Sequence, residues 1–422
     1  MNISPARTAA LDILMRIEKD GAFSSALLPQ FEETLSEKDS ALCHEITLGV
    51  LRRKLYLDAV IDKLSKGKRL DLEIRIAVWI GLFQLIYLDR VPAHAAIDES
   101  VKLALRAKKR SAKGFVNAIL RSFQREPFIP QFDDSIEELS ISASHPQWLV
   151  ERWITQFGFE GAQKLCKANN ERPAAAFRVV DPRTLDRLEP FLAEGTIRRS
   201  EFVDGAFLGN GFTLSDGVYF QEEGSQLVAN GVVAEGGETI LDVCAAPGGK
   251  TTLIAASARN VVAGDVHSNR VELLKRTSEN LNAKNVRIVQ YDARQPLPFA
   301  ERSFDVVFVD APCSGTGTIR HNPEIRYSIT DDDINELSRK QRIILQNASE
   351  LVRVGGKLIY STCSLEREEN ETVCMDFEQT NQYFERAEPK VPQRFLTDDG
   401  FARTLPNRDN MDGFFIAVFE RK

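Results

Sequence analysis

The decisive stretch of this sequence is Leu241-Asp-Val-Cys-Ala-Ala-Pro-Gly-Gly-Lys-Thr-Thr252. It connects an apolar run at residues 239–244 to a helical pattern, so it reads as a strand-to-helix turn. Further apolar runs at residues 260–265, 286–290 and 304–310 alternate with helical segments. This alternation predicts a parallel, doubly wound sheet, a fold that binds ligands beyond the carboxyl ends of its strands.

The glycine-rich turn invites comparison with a phosphate-binding P-loop. That motif requires a glycine five residues before Gly249, and this position is Cys244. Pro247 also removes a backbone N–H that a phosphate cradle would use. The turn therefore favours a nucleoside cofactor over a nucleoside triphosphate.

Carboxylates follow the next two predicted strands. Asp265 ends the second strand about 20 residues after the turn, where an acid can accept both ribose hydroxyls of a nucleoside. Asp292 follows the third strand, within reach of an adenine edge. Either acid alone is equally well read as a solvated strand end, but together they indicate a cofactor site. S-adenosylmethionine fits, because nothing nearby points to a nicotinamide.

Two cysteines occur at the same predicted sheet edge, in Asp310-Ala-Pro-Cys-Ser-Gly315 and in Ser361-Thr-Cys-Ser364. A free cysteine is more often a small buried hydrophobe than a nucleophile. Beside a methyl donor, however, a thiolate that adds to C6 of a pyrimidine makes C5 nucleophilic. Asp310 would favour that addition through N3 and the exocyclic amine of cytosine. Sequence order alone leaves open whether Cys313 or Cys363 attacks.

Residues 5–125 show helical periodicity throughout and predict an all-α bundle. They carry 21 Lys and Arg against 15 Asp and Glu, although the whole chain has a net charge of −7. Four cations are predicted to share one helical face, as a phosphate-facing stripe or as an ordinary solvated face: Lys102, Arg106, Lys109 and Lys113.

A length of 422 residues predicts several domains, which we place at residues 1–128, 129–220 and 221–422. The middle one alternates short strands with charged helix, typical of a small α+β subdomain. No signal peptide opens the sequence, and the longest apolar run is interrupted by Gln84, so we expect a cytoplasmic protein without a membrane span. The scattered cysteines and histidines predict neither disulfides nor a metal site.

Two resemblances follow from these motifs. Residues 80–97 and 114–121 resemble the NusB-type helical RNA-binding domain. Residues 145–422 resemble the Sun-type RNA cytosine-C5 methyltransferase family in an ordered series of motifs: Phe220-Gln-Glu-Glu-Gly-Ser-Gln226, Cys244-Ala-Ala-Pro-Gly-Gly-Lys250, Asp265, Asp292, Asp310-Ala-Pro-Cys-Ser-Gly315 and Ser361-Thr-Cys-Ser364. The resemblance implies a NusB-like bundle, a small α+β RNA-binding subdomain and a class I, Rossmann-like methyltransferase domain.

The same resemblance implies roles for single residues. Cys363 would be the nucleophile, Cys313 would assist resolution of the adduct, and Lys250 and Asp310 would face the base. The residues that would bind S-adenosylmethionine are Cys244, Ala245, Ala246, Pro247, Gly248, Gly249, Lys250, Asp265, Arg270, Asp292 and Asp310.

The implied substrate is a cytosine of 16S ribosomal RNA, at position 967, which must be single-stranded or flipped for C5 and C6 to be reached. Residues 321–326 depart from the more basic form of the family, which leaves RNA contacts there open. The alternatives are a non-catalytic RNA-binding or ribosome-assembly factor, a tRNA enzyme, or a DNA methyltransferase that attacks with Cys313.

Overall fold

The computed structural model of the protein describes residues 3–106, 110–210, 216–232 and 236–422. The chain divides into two compact units. One comprises Met1–Glu171 with Ile319–Ser328, and the other comprises Arg172–Thr318 with Ile329–Lys422.

The first unit is helical. Its long helices are α1 (Pro5–Asp20), α2 (Ser24–Glu32), α3 (Glu37–Ser65), α4 (Leu72–Tyr87), α5 (Ala93–Arg106), α6 (Lys113–Arg125), α7 (Ser135–Ser142) and α8 (Gln147–Ala168). Helices α3 and α4 approach closely at Gly49, where a Cβ atom would lie 1.9 Å from the ring of Phe83. The predicted all-α bundle is confirmed.

A short segment from late in the sequence, Ile319–Ser328, packs within this helical unit. Glu324 accepts hydrogen bonds from the backbone N (2.6 Å) and Oγ (3.0 Å) of Ser24. Arg326, which is fully buried, donates to Oδ1 of Asn170 at 2.9 Å. These residues fall inside the range 221–422 that the sequence assigns to one domain, yet their hydrogen-bond partners Ser24 and Asn170 belong to the first unit.

The prediction that four cations share one helical face is wrong; these are Lys102, Arg106, Lys109 and Lys113. Helix α5 ends at Arg106 and α6 begins at Lys113, while Lys109 lies outside the described residues. Lys102 pairs with Asp98 and Glu99, and Arg106 pairs with Asp12. These two cations are partnered by acids of their own unit.

The second unit begins with a four-stranded antiparallel sheet and one helix, as predicted for the α+β subdomain. Its elements are β1 (Ala175–Val179), α9 (Leu185–Ala193), β2 (Ile197–Arg199), β3 (Ala206–Gly209) and β4 (Val218–Phe220), with strand order β2-β3-β1-β4. Phe177 and Phe207 stack at 5.4 Å between ring centroids in its small core.

The methyltransferase-like part completes this unit. Its elements are α10 (Glu223–Val232), β5 (Thr239–Asp242), α11 (Gly249–Ala255), β6 (Asn260–Asp265), α12 (Ser268–Asn280), β7 (Val286–Gln290), β8 (Phe304–Asp310), α14 (Asp331–Ser349), β9 (Val352–Thr362), α15 (Glu371–Thr380), β10 (Phe384–Ala387), β11 (Ala402–Arg403), α16 (Pro406–Asp409) and β12 (Phe415–Arg421). The short helix α13 (Ile325–Ser328) lies between β8 and α14 in the sequence but belongs to the helical unit.

The large sheet has the order β10-β12-β9-β8-β5-β6-β7, and β11 also pairs with β12. Strands β7, β6, β5, β8 and β9 are parallel, whereas β12 runs antiparallel to β9. The predicted Rossmann-like sheet is therefore confirmed. The carboxyl ends of five strands meet at one edge, which positions the residues described next.

One boundary differs from the sequence prediction. The sequence pattern, with three carboxylates from Asp331 and two glycines after Val354, predicts one helix over residues 331–354. In the structure α14 ends at Ser349, and β9 begins at Val352. The β8–β9 pairing shifts register between Phe304 and Val306, and Gly355 has a φ of 71°. The strand thus includes the glycine pair that sequence patterns assign to a helix end. Among the described residues, no helix combines the length and apolar character needed to cross a bilayer.

Candidate active site

The predicted site residues lie where parallel strands end. Asp242 is the last residue of β5, Asp265 of β6 and Asp310 of β8. Cys363 follows Thr362, the last residue of β9, and Asp310 is opposite Ser361 in the β8–β9 ladder. Carboxylates and thiols from distant parts of the sequence therefore share one edge of the sheet.

The two cysteines of this edge are in contact. The Sγ atoms of Cys313 and Cys363 are 3.3 Å apart, although 50 residues separate them in sequence. The hydrogen bond to Cys363 and burial raise the pKa of Cys313 well above its ordinary value. Cys313 is therefore held as a thiol that can donate to its neighbour.

The loop carrying Cys363 is fixed by backbone contacts. The N–H of Gly317 donates to the carbonyl of Cys363 at 2.9 Å, and Gly413 donates to the carbonyl of Gly317 at 2.8 Å. A Cβ atom on Gly317 would lie 2.1 Å from the carbonyl oxygen of Gly413. Only glycine allows this close approach, so position 317 helps to define the Cys363 loop.

A charged cluster lies at the ends of β8 and β9. Lys250 Nζ binds Asp310 Oδ2 at 2.7 Å, and Ser361 Oγ donates to Asp310 Oδ1 at 2.7 Å. Burial lowers the pKa of Lys250, but the ion pair with Asp310 outweighs it and leaves that pKa above its ordinary value. The lysine also lies 5.1 Å from the ring centroid of Phe414. Both carboxylate oxygens of Asp310 thus accept a hydrogen bond, one from a lysine and one from a serine hydroxyl.

The turn from β5 to α11 is a close-fitting backbone cradle. Gly248 has a φ of 105°, and a Cβ atom there would lie 2.9 Å from Cδ1 of Leu274. Ala245 and Ala246 are buried, and the peptide bond before Pro247 is cis. Gly249 begins α11, so the cradle leads directly into the first turn of a helix.

Cys244 lies in the same turn but is not a nucleophile candidate. Burial, followed by the charges of Asp242, Asp265 and Asp310, raises the pKa of this thiol far above its ordinary value. Because the thiolate form of Cys244 is so disfavoured, we assign this side chain a packing role in the cradle.

Asp242 is a buried acid beneath the turn. Thr251 Oγ1 donates to its Oδ2 at 2.7 Å, whereas its Oδ1 is buried without a hydrogen-bond partner. Burial raises the pKa of Asp242 to about 7. An unsatisfied acceptor at the glycine-rich turn suits a site completed by a ligand.

Asp265 and Arg270 form a second corner of the site. Arg270 Nε lies 3.1 Å from Asp265 Oδ2, and its Nη2 donates to the carbonyl of Ala246 at 2.6 Å. Asp265 Oδ1 accepts from the backbone N of His267 at 3.3 Å. Arg270 therefore ties the acid after β6 to the turn after β5.

Asp292 follows β7, farther along the same edge. It forms a bidentate pair with Arg294, whose hydrogen bonds lower the pKa of Asp292. The preceding Tyr291 packs its ring against Gly264, where a Cβ atom would lie 2.3 Å away. Asp292, which the sequence predicts to contact adenine, is thus already paired with Arg294.

Sequence reasoning missed three residues. Asp242 was inside the quoted motif but unassigned, and Glu369, in the acidic stretch 366–371, is fully buried. Arg178, from β1, donates to Oγ1 of Thr252 at 2.8 Å and to the carbonyl of Gly249 at 3.4 Å. The run of acidic and polar residues around Glu369 gave no sign in the sequence that this side chain is buried. An arginine in a short strand gave no sign that Arg178 contacts the glycine-rich turn and helix α11.

Within the described ranges, no cluster of three or more His, Cys, Asp or Glu side chains is arranged to hold a metal ion.

Comparison with known families divides the chain into three matched regions. The NusB family matches residues 4–125, and a ferredoxin-like domain of RsmF/B-like methyltransferases matches residues 145–187. The family described as 16S rRNA methyltransferase RsmB/F matches residues 232–420.

Curated relatives are similar over essentially the whole length. Probable ribosomal RNA small subunit methyltransferase B of Bacillus subtilis (strain 168) is 33% identical over 447 residues, covering 100% of both chains. Ribosomal RNA small subunit methyltransferase B of Escherichia coli (strain K12) is 34% identical over 443 residues, covering 99% of this chain and 98% of its own.

Two solved structures are also similar. The structure titled "Crystal Structure of PH0851" has a TM-score of 0.85 and 26% identity, covering 100% of both chains. A methyltransferase homolog protein from Pyrococcus horikoshii has a TM-score of 0.58 and 26% identity, covering 69% of this chain and 100% of its own.

Proposed function

Because the chain belongs to the RsmB/F family of 16S rRNA methyltransferases, we propose that it methylates C5 of one cytosine in 16S rRNA through a covalent bond to Cys363. The chain is an S-adenosylmethionine-dependent RNA methyltransferase. The proposal adds the target atom, the covalent step and the nucleotide, for which cytosine 967 is the candidate. With 16S rRNA as the proposed substrate, we expect a cytoplasmic enzyme.

The observation that carries the proposal is the pair of thiols at the sheet edge that also carries Asp310. Sγ of Cys363 lies 3.3 Å from Sγ of Cys313, and Asp310 ends the strand that leads to Cys313. C5 of cytosine is a poor nucleophile until a thiolate adds to C6. An edge with two thiols and a carboxylate meets that requirement, whereas simple N- or O-methylation would need neither thiol.

The reaction can be written in balanced steps. The Sγ–C6 bond forms as the C5–C6 π electrons move toward C4 and N3, where a proton shared between Asp310 and N3, together with the Lys250 ammonium, stabilises the developing negative charge. The enamine-like C5 would then take the methyl group, whose bond to the sulfonium sulfur breaks with its electron pair remaining on that sulfur. C5 then loses its proton to solvent base, the C5–C6 double bond re-forms, and the C6–Sγ bond breaks with its electron pair returning to Cys363.

Cys313 has a definite part in the last step. Its raised pKa keeps its proton, so its S–H donates to the sulfur of Cys363 as that sulfur leaves as thiolate. Without Cys313 the thiolate is a poorer leaving group, and the adduct with RNA persists. This accounts chemically for two cysteines with different tasks.

S-adenosylmethionine supplies an electrophilic sulfonium methyl group, and the cradle suits it. The buried, unpartnered Oδ1 of Asp242 leaves hydrogen-bonding capacity at the turn, and Gly248 lets the turn pack tightly on Leu274. We assign the ribose hydroxyls to Asp265 and the adenine edge to Asp292, with Arg270 holding Asp265 against the turn.

Replacement of each thiol tests the proposal. Cys363→Ala should abolish methyl transfer to 16S rRNA and the covalent adduct with 5-fluorocytosine RNA, while Cys313→Ala should accumulate protein–RNA adduct. Cys43→Ala, a buried thiol in α3, is the matched control and should retain transfer. Continued transfer by Cys363→Ala would refute the covalent role. Sequencing of 5-methylcytosine in rRNA, with and without the protein, identifies the nucleotide.

A further inference from the structure

Glu369 is a fully buried carboxylate that accepts four hydrogen bonds. Its Oε1 accepts from the backbone N of Ser314 at 2.9 Å and from Nε2 of Gln341 at 3.0 Å. Its Oε2 accepts from the hydroxyls of Ser314 and Ser364, each at 2.5 Å. A carboxylate this deep in the protein is retained only with such complete satisfaction.

The partners of Glu369 directly follow the two reactive thiols. Ser314 is the residue after Cys313, and Ser364 is the residue after Cys363. The two serine hydroxyls are themselves 3.0 Å apart. One carboxylate oxygen thus bridges two loops that are 50 residues apart in sequence.

Gln341, from α14, extends the same network to the other side of Cys313. Its Nε2 donates to the carbonyl of Pro312 at 2.9 Å as well as to Glu369. Cys313 is therefore held from the residue before it and the residue after it. Asn370 does the same for the second loop, since it accepts from Thr362 Oγ1 at 2.5 Å and donates to the carbonyl of Ser364 at 2.8 Å.

We propose that Glu369 is a positioning residue that holds Cys313 and Cys363 at reacting distance by clamping the serines that follow them. It does not touch the thiols' substrate and is not a catalytic residue. The proposal rests on the proposed function for its consequence in the reaction, but the clamp itself concerns only the distance between two sulfur atoms.

Electrostatics agrees with this role. Burial raises the pKa of Glu369, and neutral hydrogen-bond donors (Ser314, Ser364 and Gln341) oppose that rise. The negative charge of Glu369 is in turn one of the influences that raise the pKa of Cys313. The clamp therefore both places the resolving thiol and helps to keep its proton on sulfur.

The distance between the thiols can be measured without RNA. Diamide takes two electrons and two protons from a thiol pair and leaves a disulfide, at a rate set by how often the sulfurs meet. Disulfide formation between Cys313 and Cys363, followed by peptide mass spectrometry, should be about tenfold slower in Glu369→Ala, since small misplacements of reacting groups have effects of at least that size.

Variants of graded severity keep the test valid if Glu369→Ala folds poorly. Ser364→Ala removes one bridge and should slow disulfide formation less, and Glu369→Gln, which retains an acceptor oxygen, should fall between wild type and Glu369→Ala. The matched control is Glu336→Ala, an exposed acid on the same helix as Gln341, which should match wild type.

A second measurement separates positioning from mere loss of stability. In single-turnover reactions with rRNA and S-adenosylmethionine, Glu369→Ala should accumulate the Cys363–RNA adduct, as Cys313→Ala does, whereas a simply destabilised enzyme would lose adduct formation and release together.

Disulfide rates in the folded Glu369 and Ser364 variants equal to those of Glu336→Ala would overturn the inference. If wild type forms no covalent adduct with 5-fluorocytosine RNA, the proposed function fails, and the disulfide rates still decide the clamp.

Discussion

Two carboxylates lie close to the reactive thiols in sequence and differ in every physical respect. Asp310 is partly exposed, with 27% of its side chain accessible, and is held by the cation of Lys250 and the hydroxyl of Ser361. Glu369 is fully buried and accepts its hydrogen bonds from the neutral groups of Ser314, Gln341 and Ser364. Asp310 can exchange a partner for substrate, whereas Glu369 cannot.

This difference separates chemistry from positioning. A partly exposed acid in an ion pair can change its partner at a small free-energy cost, because water and the substrate compete with the lysine for its oxygens. A buried acid whose acceptors are all used is expensive to disturb, since every donor it loses stays unsatisfied. Changes at Asp310 should therefore appear in activity, and changes at Glu369 in stability as well as geometry.

The largest expected effect is on turnover at Asp310. Asp310→Asn keeps the shape but removes the carboxyl group that would share a proton with N3, so methyl transfer should fall about 10²- to 10⁴-fold, the usual range for lost acid–base assistance. Transfer of labelled methyl groups to 16S rRNA measures it. Asp332→Asn, at the exposed start of α14, is the control, and transfer within twofold of that control would contradict the role of Asp310.

The next effect is on folding at Glu369. Glu369→Ala strands the N–H of Ser314 and two hydroxyls, so the free energy of unfolding should fall by about 2–3 kcal/mol. Urea denaturation measures it. Glu336→Ala should change the unfolding free energy by less than about 0.5 kcal/mol. Equal stability of the two variants would erase the distinction drawn between the two carboxylates.

A third acid, Asp242, which is buried like Glu369, sharpens the comparison through pH. The pKa of Asp242 is raised to about 7, whereas an unfolded aspartate titrates near ~3.9. Between these values the folded state binds a proton that the unfolded state releases, so stability falls as pH rises from about 4 to about 7. The expected loss between pH 5.5 and 7 is about 1–2 kcal/mol. Asp242→Asn should flatten the dependence of the free energy of unfolding on pH in this range. An unchanged slope in the variant would argue against a raised pKa of Asp242.

The smallest effect is expected at an exposed ion pair. Arg106 and Asp12 are 2.7 Å apart on the helical unit, with 40% and 36% of their side chains accessible. Arg106→Ala should change the free energy of unfolding by at most about 1 kcal/mol, as exposed pairs do. Thermal unfolding at two salt concentrations tests it. A larger loss than in Glu369→Ala would reverse the proposed ranking by burial.

Much of the fold was predictable because its signals are local. Alternating apolar runs gave β5 through β8, and helical periodicity gave the N-terminal bundle. The end of α14 was misplaced because Gly355 and Gly356 look like a helix cap, while the β8–β9 pairing draws them into a strand. The basic stripe failed for a related reason, since helix phase was carried across a break between Arg106 and Lys113.

The candidate site divides in the same way. Motif positions at strand ends were sufficient to bring Asp265, Asp310 and Cys363 to one edge, because parallel strands end together. They gave no account of Glu369, whose acidic neighbourhood reads as a solvated turn, or of Ile319–Ser328, which leaves the α/β sequence to pack with helices.

The sequence by itself determined which chemistry this protein carries: two thiols, a carboxylate, a lysine and a glycine-rich turn, each at a strand end and in a recognisable order. Only the tertiary structure decided how these groups act together. The 3.3 Å between two sulfurs and the burial of Glu369 between their loops depend on packing across 50 or more residues, which no local periodicity encodes.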